Sequence, residues 1–483
     1  MDYDLYHDES QEGGYWHGIL LVPQINKENF LNCLKLIREE VGYCHPIAFK
    51  GLKQKGRKFN CIKSCLQLGV GSLMQYYKNE PYIILTEKRN YSLDNKRQCV
   101  DYKKILVINS GSATLKFKVF SASNLSEELS GIVERIGLKN SFMSVDGLGK
   151  DRLLKKYPPG ILDYEQALAE VLLQLKTILP DIKLVGHRVV HGGGTYNQPL
   201  KLNQGIINKL AKYNKLAPLH NPINLACAES ALKLLPQAKH VAVFDTAYYA
   251  DIPEYIHRYA LPSKFYKLGI RRYGFHGLSH QYSAIEGAKK AKLKISKAKI
   301  ITCHLGSGCS ITATKNGLAI DTTMGFTPLE GLTMSTRAGD LDASIPLYMI
   351  NELKMSTSEI TKVFNQESGL LAIAGTMDMR EILLASGHKV LDYSSNKIFT
   401  DNQKAKAQLA LDMFVYDVVR YIGQLAISMD GVDLIVFTGG IGERSPAVRK
   451  IVLDKIRHLS KFKNIVIEAN EELMIAREIV KTS

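Results

Sequence analysis

Arg188, Asp245, His276 and Arg337 are the residues of this sequence best suited to chemistry on an oxyanion. Arg188 lies in GHRVVHGG, Asp245 ends VAVFDT, His276 and His280 sit in YGFHGLSH, and Arg337 belongs to TRAGDLD; His220 lies in LAPLHNP. A guanidinium makes paired hydrogen bonds to a planar oxyanion, an imidazole donates a hydrogen bond near neutral pH, and a carboxylate orients either group. Taken singly, an arginine is usually a surface or ion-pair residue and a histidine is usually structural. Their common placement in Gly- and Pro-bearing stretches at the ends of apolar runs is what argues for a site, because α/β proteins build sites there.

Glycine turns supply the second half of the argument. In Ile105–Val119, ILVINSGSATLKFKV, an apolar run meets Asn109, Ser110, Gly111 and Ser112, and a second apolar run follows. Strand, polar turn, strand presents backbone N–H groups and hydroxyls to an anion, most often phosphate. The pattern returns as IITCHLGSGCSIT over Ile300–Thr312, and GVDLIVFTGGIGE at 431–443 runs a buried strand into a third glycine turn. One such turn merely closes a hairpin. Two phosphate-type hairpins plus a third loop point to a duplicated α/β architecture with a nucleotide in the cleft between the copies.

The elements that must carry these residues follow the same rhythm. The pattern predicts a hairpin at 105–120, a helix at 164–179 with leucines at i, i+3, i+4 and i+7, and a strand at 183–194. It continues with a helix at 224–235, a strand at 240–249, a helix at 279–294 and a second hairpin at 299–314. The apolar stretch 404–429 is interrupted by Asp412, Asp417 and Arg420 at helical spacing, which marks a core helix. Residues 88–104, KRNYSLDNKRQCVDYKK, are charged and poor in apolar side chains, so they read as a linker or surface crossing.

Bulk properties exclude several classes. A chain of 483 residues is too long for one core. Its 45% apolar and 23% charged content is that of a soluble globular protein. The net charge of +16 is spread along the chain without a sustained basic block or basic–aromatic alternation. It reads as a solvated surface around an anion-handling cleft rather than a nucleic-acid footprint. No uncharged apolar run is long enough to span a membrane, and the acidic start MDYDLYHDES is unlike a secretory signal. The 8 cysteines form neither a C-x-x-C pair nor a zinc spacing, which suits ordinary buried thiols in a reduced cytoplasm.

From Lys103 to Ser483 the chain resembles acetate kinases of the acetokinase family, in the order VINSGSATLK, GHRVVHGG, LAPLHNP, VAVFDTA, YGFHGLSH, DTTMGFTPLEGL, TRAGDLD, FTGGIGE, NEELMIAR. The resemblance implies the duplicated ribonuclease-H-like fold of sugar kinases, Hsp70 and actin. It divides the chain into one domain at 103–250, a nucleotide-binding domain at 251–470 and a C-terminal helix at 471–483 returning to the first. The implied reaction is reversible, magnesium-dependent transfer of phosphoryl from ATP to acetate, giving ADP and acetyl phosphate, with Mn²⁺ as the alternative ion. The resemblance also implies a cytoplasmic homodimer with no membrane association.

Residue by residue, the resemblance implies that Arg188 and Arg337 grip the carboxylate and the migrating phosphoryl group, and that His276 donates to the phosphoryl oxygens. Asp245 matches the family's essential aspartate. Acetate is already ionised near neutral pH, so orienting an arginine or a metal-bound water is a more economical task for Asp245 than proton abstraction. Val190, Leu219, Phe275 and Pro328 would wall the methyl group, with His220 alongside. Ser112, Thr114 and Lys116 would complete the first phosphate hairpin, and His304, Leu305, Gly306, Ser307 and Gly308 the second. Asp378, Met379 and Arg380, together with Gly439, Gly440, Ile441, Gly442, Glu443 and Arg444, would meet the adenosine. Asn109 and Glu471 would hold Mg²⁺, partly through water. Four positions depart from the usual family pattern: Ser307 replaces an asparagine, Arg444 follows Glu443 in place of an asparagine, Leu278 replaces a threonine and Ala343 a proline. None of them removes a charged group from the reaction centre.

Residues 1–102 lie outside that resemblance. Their opening, YDLYHDESQEGGYWHGILLVP, is similar to the start of uncharacterised proteins with a ribonuclease-H-like pattern, in which Asp4, Asp8 and Glu9 would be metal-binding carboxylates. A working nuclease, a fused remnant of that family and a small accessory domain are the readings of this segment, and its shortness favours the last two.

Overall fold

The computed structural model describes short strands within residues 1–100. From residue 104 onward it describes every residue except 112, 148–151, 158–159, 219, 392, 460 and 483. The chain divides into two compact units, Met1–Val100 and Asp101–Ser483. In the first unit, β1 (Tyr3–Asp8), β2 (Gly18–Pro23), β3 (Lys50–Gly51), β4 (Gly71–Tyr77) and β5 (Glu80–Thr86) form an antiparallel sheet of order β3-β1-β2-β5-β4. Asp4 and Asp8 lie on β1. Their side chains, Glu9 and the linker residues 88–103 lie outside what is described.

The second unit holds two sheets built on one plan. In the first, β6 (Lys104–Ser110), β7 (Thr114–Ser121), β8 (Glu127–Glu134), β9 (Ser141–Asp146) and β10 (Leu153–Tyr157) form an antiparallel meander. The strands β11 (Ile182–Val189), β12 (Leu200–Lys201) and β13 (Lys239–Phe244) complete the order β10-β9-β8-β7-β6-β11-β13-β12. In the second, β14 (Lys299–Leu305), β15 (Cys309–Lys315) and β16 (Leu318–Thr322) repeat the meander. The parallel strands β17 (Leu434–Thr438) and β18 (Lys463–Val466) extend it as β16-β15-β14-β17-β18. Each sheet is thus a hairpin meander whose first strand is joined by parallel neighbours, which is the duplication the two glycine turns foreshadow.

Register decides what the strands present. β6, β11 and β13 run parallel, with His187 opposite both Ile108 and Ala242 and Val189 opposite Phe244. Asn109, Arg188 and Asp245 therefore stand side by side at the carboxyl ends of three adjacent strands, where open parallel sheets bind ligands. The core residues Ile105, Leu106, Val107, Leu184, Val185 and Val241 are almost wholly buried, as expected of strands covered on both faces.

Helices cover the sheets. α1 (Tyr164–Gln174), capped by Asp163, and α2 (Asn221–Leu234) lie on one face of the first sheet. α1 is shorter than its leucine pattern predicts. Pro180 follows it, and the chain turns into β11 through a 3₁₀ segment at Leu179–Asp181 that opens from Ile178.

α3 (Gly277–Lys290) bridges the two sheets. Its Leu278 packs with Ile105, Val107 and Val243 of the first, while Ala284 and Ala288 pack on Ile300, Leu434 and Val436 of the second. A Cβ at Gly287 would stand 2.6 Å from Val436 Cγ2, so only glycine permits this approach.

α4 (Met379–Ala385) and α5 (Asp401–Ser428) form the core over the second sheet, and α5 starts in a capping box of Thr400 and Gln403. The GGIGE stretch predicted as a turn is instead a short helix, α6 (Gly439–Arg444), entered through Gly439 at φ +75°. α7 (Glu471–Lys481) lays Met474, Ile475 and Ile479 on β6, β11 and β13. A Cβ at Gly186 would meet Ile475 Cγ2 at 2.8 Å and Ile479 Cδ1 at 2.9 Å.

Candidate active site

At the carboxyl edge of the first sheet, Arg188 is held by acids and an amide. Its Nε donates to Asp245 Oδ1 at 3.0 Å and its Nη2 to Asp245 Oδ2 at 2.5 Å. Nη1 donates to Asn109 Oδ1 at 3.1 Å and lies 3.3 Å from Glu471 Oε2. Asn109 Nδ2 in turn donates to Glu471 Oε2 at 3.1 Å and to Glu472 Oε1 at 2.8 Å. Burial works against the charge on Arg188, but Asp245 and Glu471 outweigh it and hold the guanidinium protonated beyond its ordinary range. Burial lifts the Asp245 carboxyl above the usual carboxylate range while the Arg188 fork pulls it back. Glu471 is driven the other way: burial opposes its charge, but Arg188 and its other polar neighbours hold it lowered.

Arg337 is electrostatically different. Its Nη1 donates to the Pro328 carbonyl at 3.2 Å and reaches Met334 Sδ at 3.8 Å, and among the described residues no carboxylate pairs with it. Burial pushes its basicity down. His276 and Arg337 converge on Gly308: a Cβ there would lie 3.2 Å from His276 Cε1 and 3.4 Å from Arg337 Nη1. The second phosphate turn thus passes between them, and the glycine is needed for that closeness.

His276 caps α3 in the left-handed conformation at φ 56°, a strained backbone for a residue with a Cβ. Its ring stacks on His304 with centroids 4.4 Å apart. Nδ1 meets Ser310 Oγ at 2.8 Å, Ser310 Oγ meets His280 Nε2 at 2.7 Å, and His280 Nδ1 meets Thr302 Oγ1 at 2.6 Å. Burial, His304, His280, Arg188 and Arg337 all push the His276 imidazole to its neutral form. A neutral ring whose Nδ1 accepts from the Ser310 hydroxyl carries its proton on Nε2 and can donate it into the cleft. His220 is likewise pushed down to about 4, first by burial and then by Arg337 and Arg188.

Val190 and Phe275 are buried in one apolar cluster with Ala217 and Tyr273. Pro328 touches the site through its carbonyl, and Leu219 lies outside the described residues. His191 accepts from Gly193 N–H at 2.8 Å through Nδ1 and packs edge-on to Tyr273, while its Nε2 has no hydrogen-bond partner among the described residues.

The second sheet opens on a cavity of ≈ 990 Å³ lined by Gly306 and Ser307 of the phosphate turn, Asp378, Met379 and Arg380, and Gly440, Ile441, Glu443 and Arg444. Leu305 is buried behind that turn, and His304 Nδ1 is tied to Ser279 Oγ at 2.7 Å. Gly439 and Gly442 are buried in α6 rather than lining the cavity. Glu443 Oε1 is occupied structurally, accepting from Gly439 N, Ala469 N and Thr438 Oγ1 at 2.8, 2.9 and 3.3 Å. Asp378 caps α4 and pairs with Arg380. Thr114 stands at the first hairpin and Lys116 is exposed on β7; Ser112 lies outside the described residues.

Sequence reasoning passes over Glu472, Ser310, Asn224 and Arg449. Asn224 accepts from Val190 N–H at 3.1 Å and donates to the Ser110 carbonyl at 2.8 Å, fixing two site loops together. Arg449 donates to the Gly442 and Glu443 carbonyls at 2.8 and 2.7 Å, closing the end of α6. The doubled acid in NEELMIAR is a signal for Glu472; nothing local in the sequence marks the other three.

Among the described residues no helix is long and apolar enough to cross a membrane, and no three His, Cys, Asp or Glu side chains cluster as a metal site. Residues 104–460 match the acetokinase family. The acetate kinase of Coprothermobacter proteolyticus is 40% identical over 409 residues, covering 78% of this chain and 98% of that protein. That of Clostridium beijerinckii is 40% identical over 411 residues, covering 78% and 99%. Among solved structures, a propionate kinase from Francisella tularensis superposes with a TM-score of 0.70 at 36% identity, and the acetate kinase of Porphyromonas gingivalis with 0.68 at 34%. Each covers 78% of this chain and 98% of the other.

Proposed function

The chain belongs to the acetokinase family, and on that premise we propose that it transfers the γ-phosphoryl group of ATP reversibly to acetate, giving ADP and acetyl phosphate. The observation that carries the reading is the contrast between its two arginines. Arg188 is neutralised by Asp245 and Glu471, whereas Arg337 brings an uncompensated positive charge beside His276 and the phosphate turn.

Phosphoryl transfer asks for alignment and for charge neutralisation rather than covalent work. Arg188, aimed by the Asp245 fork, orients the carboxylate so that its oxygen faces the phosphorus in line with the leaving ADP. Arg337 balances the charge on the migrating group, and His276 Nε2–H donates to one of its equatorial oxygens. The carboxylate needs no base, and Asp245 acts by orienting Arg188. Val190, Phe275 and Pro328 are proposed as walls of the methyl-sized slot that favours acetate over propionate.

Asn109 and Glu471 would hold Mg²⁺. The Glu471 carboxylate with water and phosphate oxygens is a donor set this ion accepts; Asn109 Oδ1, which accepts from Arg188 Nη1, would join it through water, and the surplus of acids around Asn109 favours a cation there. When bound, the ion supplies further neutralisation of the phosphate charge.

Two copies of the chain are proposed to pair through an apolar face on the second-sheet side. The helix Ser344–Asn351 buries none of its residues and exposes Leu347 and Tyr348, and α5 exposes Leu409, Met413 and Tyr416. The buried free thiols of Cys227, Cys303 and Cys309 suit the reducing cytoplasm.

Hydroxamate trapping of acetyl phosphate from the full chain with ATP, acetate and Mg²⁺ tests the reading. Product is expected with acetate and less with propionate. No product with any short carboxylate would sink it.

A further inference from the structure

We propose that Tyr393, in the segment between α4 and α5, selects the base of the nucleotide by walling the cavity with an aromatic face against which a purine stacks. The inference rests on the reading of the ≈ 990 Å³ cavity as the ATP site and adds a residue from a stretch in which the sequence shows no motif.

Three observations carry it. The cavity joins Gly306 and Ser307 of the phosphate turn to the apolar side chains Met377, Val390, Leu391, Tyr393 and Ile441, among the charged Asp378, Arg380, Glu443, Arg444 and Arg449. A nucleotide asks for both kinds of partner, polar ones for its phosphates and a flat or apolar one for its base. Next, Leu391 is 68% and Met377 57% exposed, large apolar side chains left facing the cavity rather than the core. Last, Tyr393 is held in place. Arg380 is fixed to Asp378 by Nε–Oδ1 and Nη2–Oδ2 bonds of 3.0 and 2.7 Å, and its guanidinium lies 4.6 Å from the Tyr393 ring centroid. Val390 and Phe399, before and after Tyr393 in the chain, pack on the core, and Lys397 reaches Glu381 of α4 at 3.5 Å.

A guanidinium on a ring orients it and leaves the rest of its surface for another flat group. Stacking on an aromatic side chain tolerates every base, and its strength grows with the size of the base's π-face. A wall of this kind therefore ranks ATP and GTP above CTP and UTP without reading hydrogen-bond donors.

The test measures steady-state kinetics of the full chain with ATP, GTP, CTP and UTP at saturating acetate, and ADP binding by calorimetry without acetate. Tyr393→Ala is expected to raise the KM for ATP about tenfold, to weaken ADP binding equally and to narrow the purine preference, with kcat and the acetate KM within about twofold of the parent. Tyr393→Phe should restore the parental pattern, since the ring does the selecting. Leu391→Ser, on an exposed side chain, should narrow the preference in the same direction and serves if Tyr393→Ala fails to fold. An unchanged KM for ATP, or an equal loss with all four nucleotides, would overturn the proposal. A parent chain that binds ADP yet makes no acetyl phosphate would defeat the reading of the reaction and leave the calorimetric comparison to decide the wall.

Discussion

Arg188 and Asp245 meet edge to edge, two nitrogens on two oxygens at 3.0 and 2.5 Å, across the boundary between neighbouring parallel strands. The pairing leaves the remaining proton of Nη2 and Nη1, which also donates to Asn109 Oδ1, so the donors still open to a substrate set the direction from which a carboxylate can approach.

Asp245→Asn removes half of that fork and one negative charge. Turnover is expected to fall by roughly 10²–10³, with a smaller rise in the acetate KM, since the guanidinium stays but loses its aim. A steady-state assay that finds a near-parental kcat would take Asp245 out of the site.

Among the described residues Arg337 has no acidic partner to release, so its deletion leaves none of their buried carboxylates uncompensated. Arg337→Ala should lower kcat by about 10³ or more while the protein stays folded. Arg337→Lys, which keeps a charge but not the fork, should recover only part of the loss. Matching thermal melts alongside the kinetics separates this outcome from simple unfolding.

In the proposed mechanism the Ser310 hydroxyl donates to His276 Nδ1 and so keeps the His276 proton on Nε2. Ser310→Ala removes the hydroxyl that Nδ1 accepts from, and kcat should drop roughly tenfold, the worth of about 1.4 kcal/mol, with both KM values little altered. A pure KM effect would speak against tautomer control.

Val190→Ala enlarges the proposed methyl slot. The propionate-to-acetate ratio of kcat/KM should rise by roughly three- to tenfold, within the roughly 1–3 kcal/mol ascribed to one methylene. A ratio that does not move would mean Val190 does not wall the substrate.

Acid should destabilise the fold through its buried histidines. His191 and His220 are pushed from 6.5 down to about 4, chiefly by burial, and His187, His276 and His280 are lowered as well. Because the folded values lie below the unfolded one, the unfolded chain binds more protons as pH falls. The stability is present above pH 6.5 and is lost between there and about 4. Calorimetric melts are expected to drop by ~5 °C or more from about pH 7 to about pH 5. A flat Tm over that interval would show that these imidazoles are not held neutral.

Much of this is legible in the chain itself. Continuous apolar runs ending at or near Asn109, Arg188, Asp245 and His304 mark strand ends, and repeated glycine turns mark the duplication; family resemblance then attaches roles to the residues. What escapes is decided by contacts between residues distant in sequence. Tyr393 and Asn224 gain their importance from side chains in other segments, and no local pattern records such a meeting. α6 escapes as a helix because its glycines favour turns, and Glu443 and Arg449 supply the hydrogen bonds that override that preference. α1 ends early at Gln174, and the leucine pattern beyond it gives way to turns and the 3₁₀ segment that carries Pro180.

His276 stands at the head of α3, whose flanks are shared between the two sheets. The imidazole is thereby mounted on the strut that sets the spacing of the two halves. Any change in that spacing moves the donor relative to the migrating phosphorus, so packing faults far down the strut, such as filling Gly287, would register at the reaction centre as a loss of rate without touching a single ligand-facing atom.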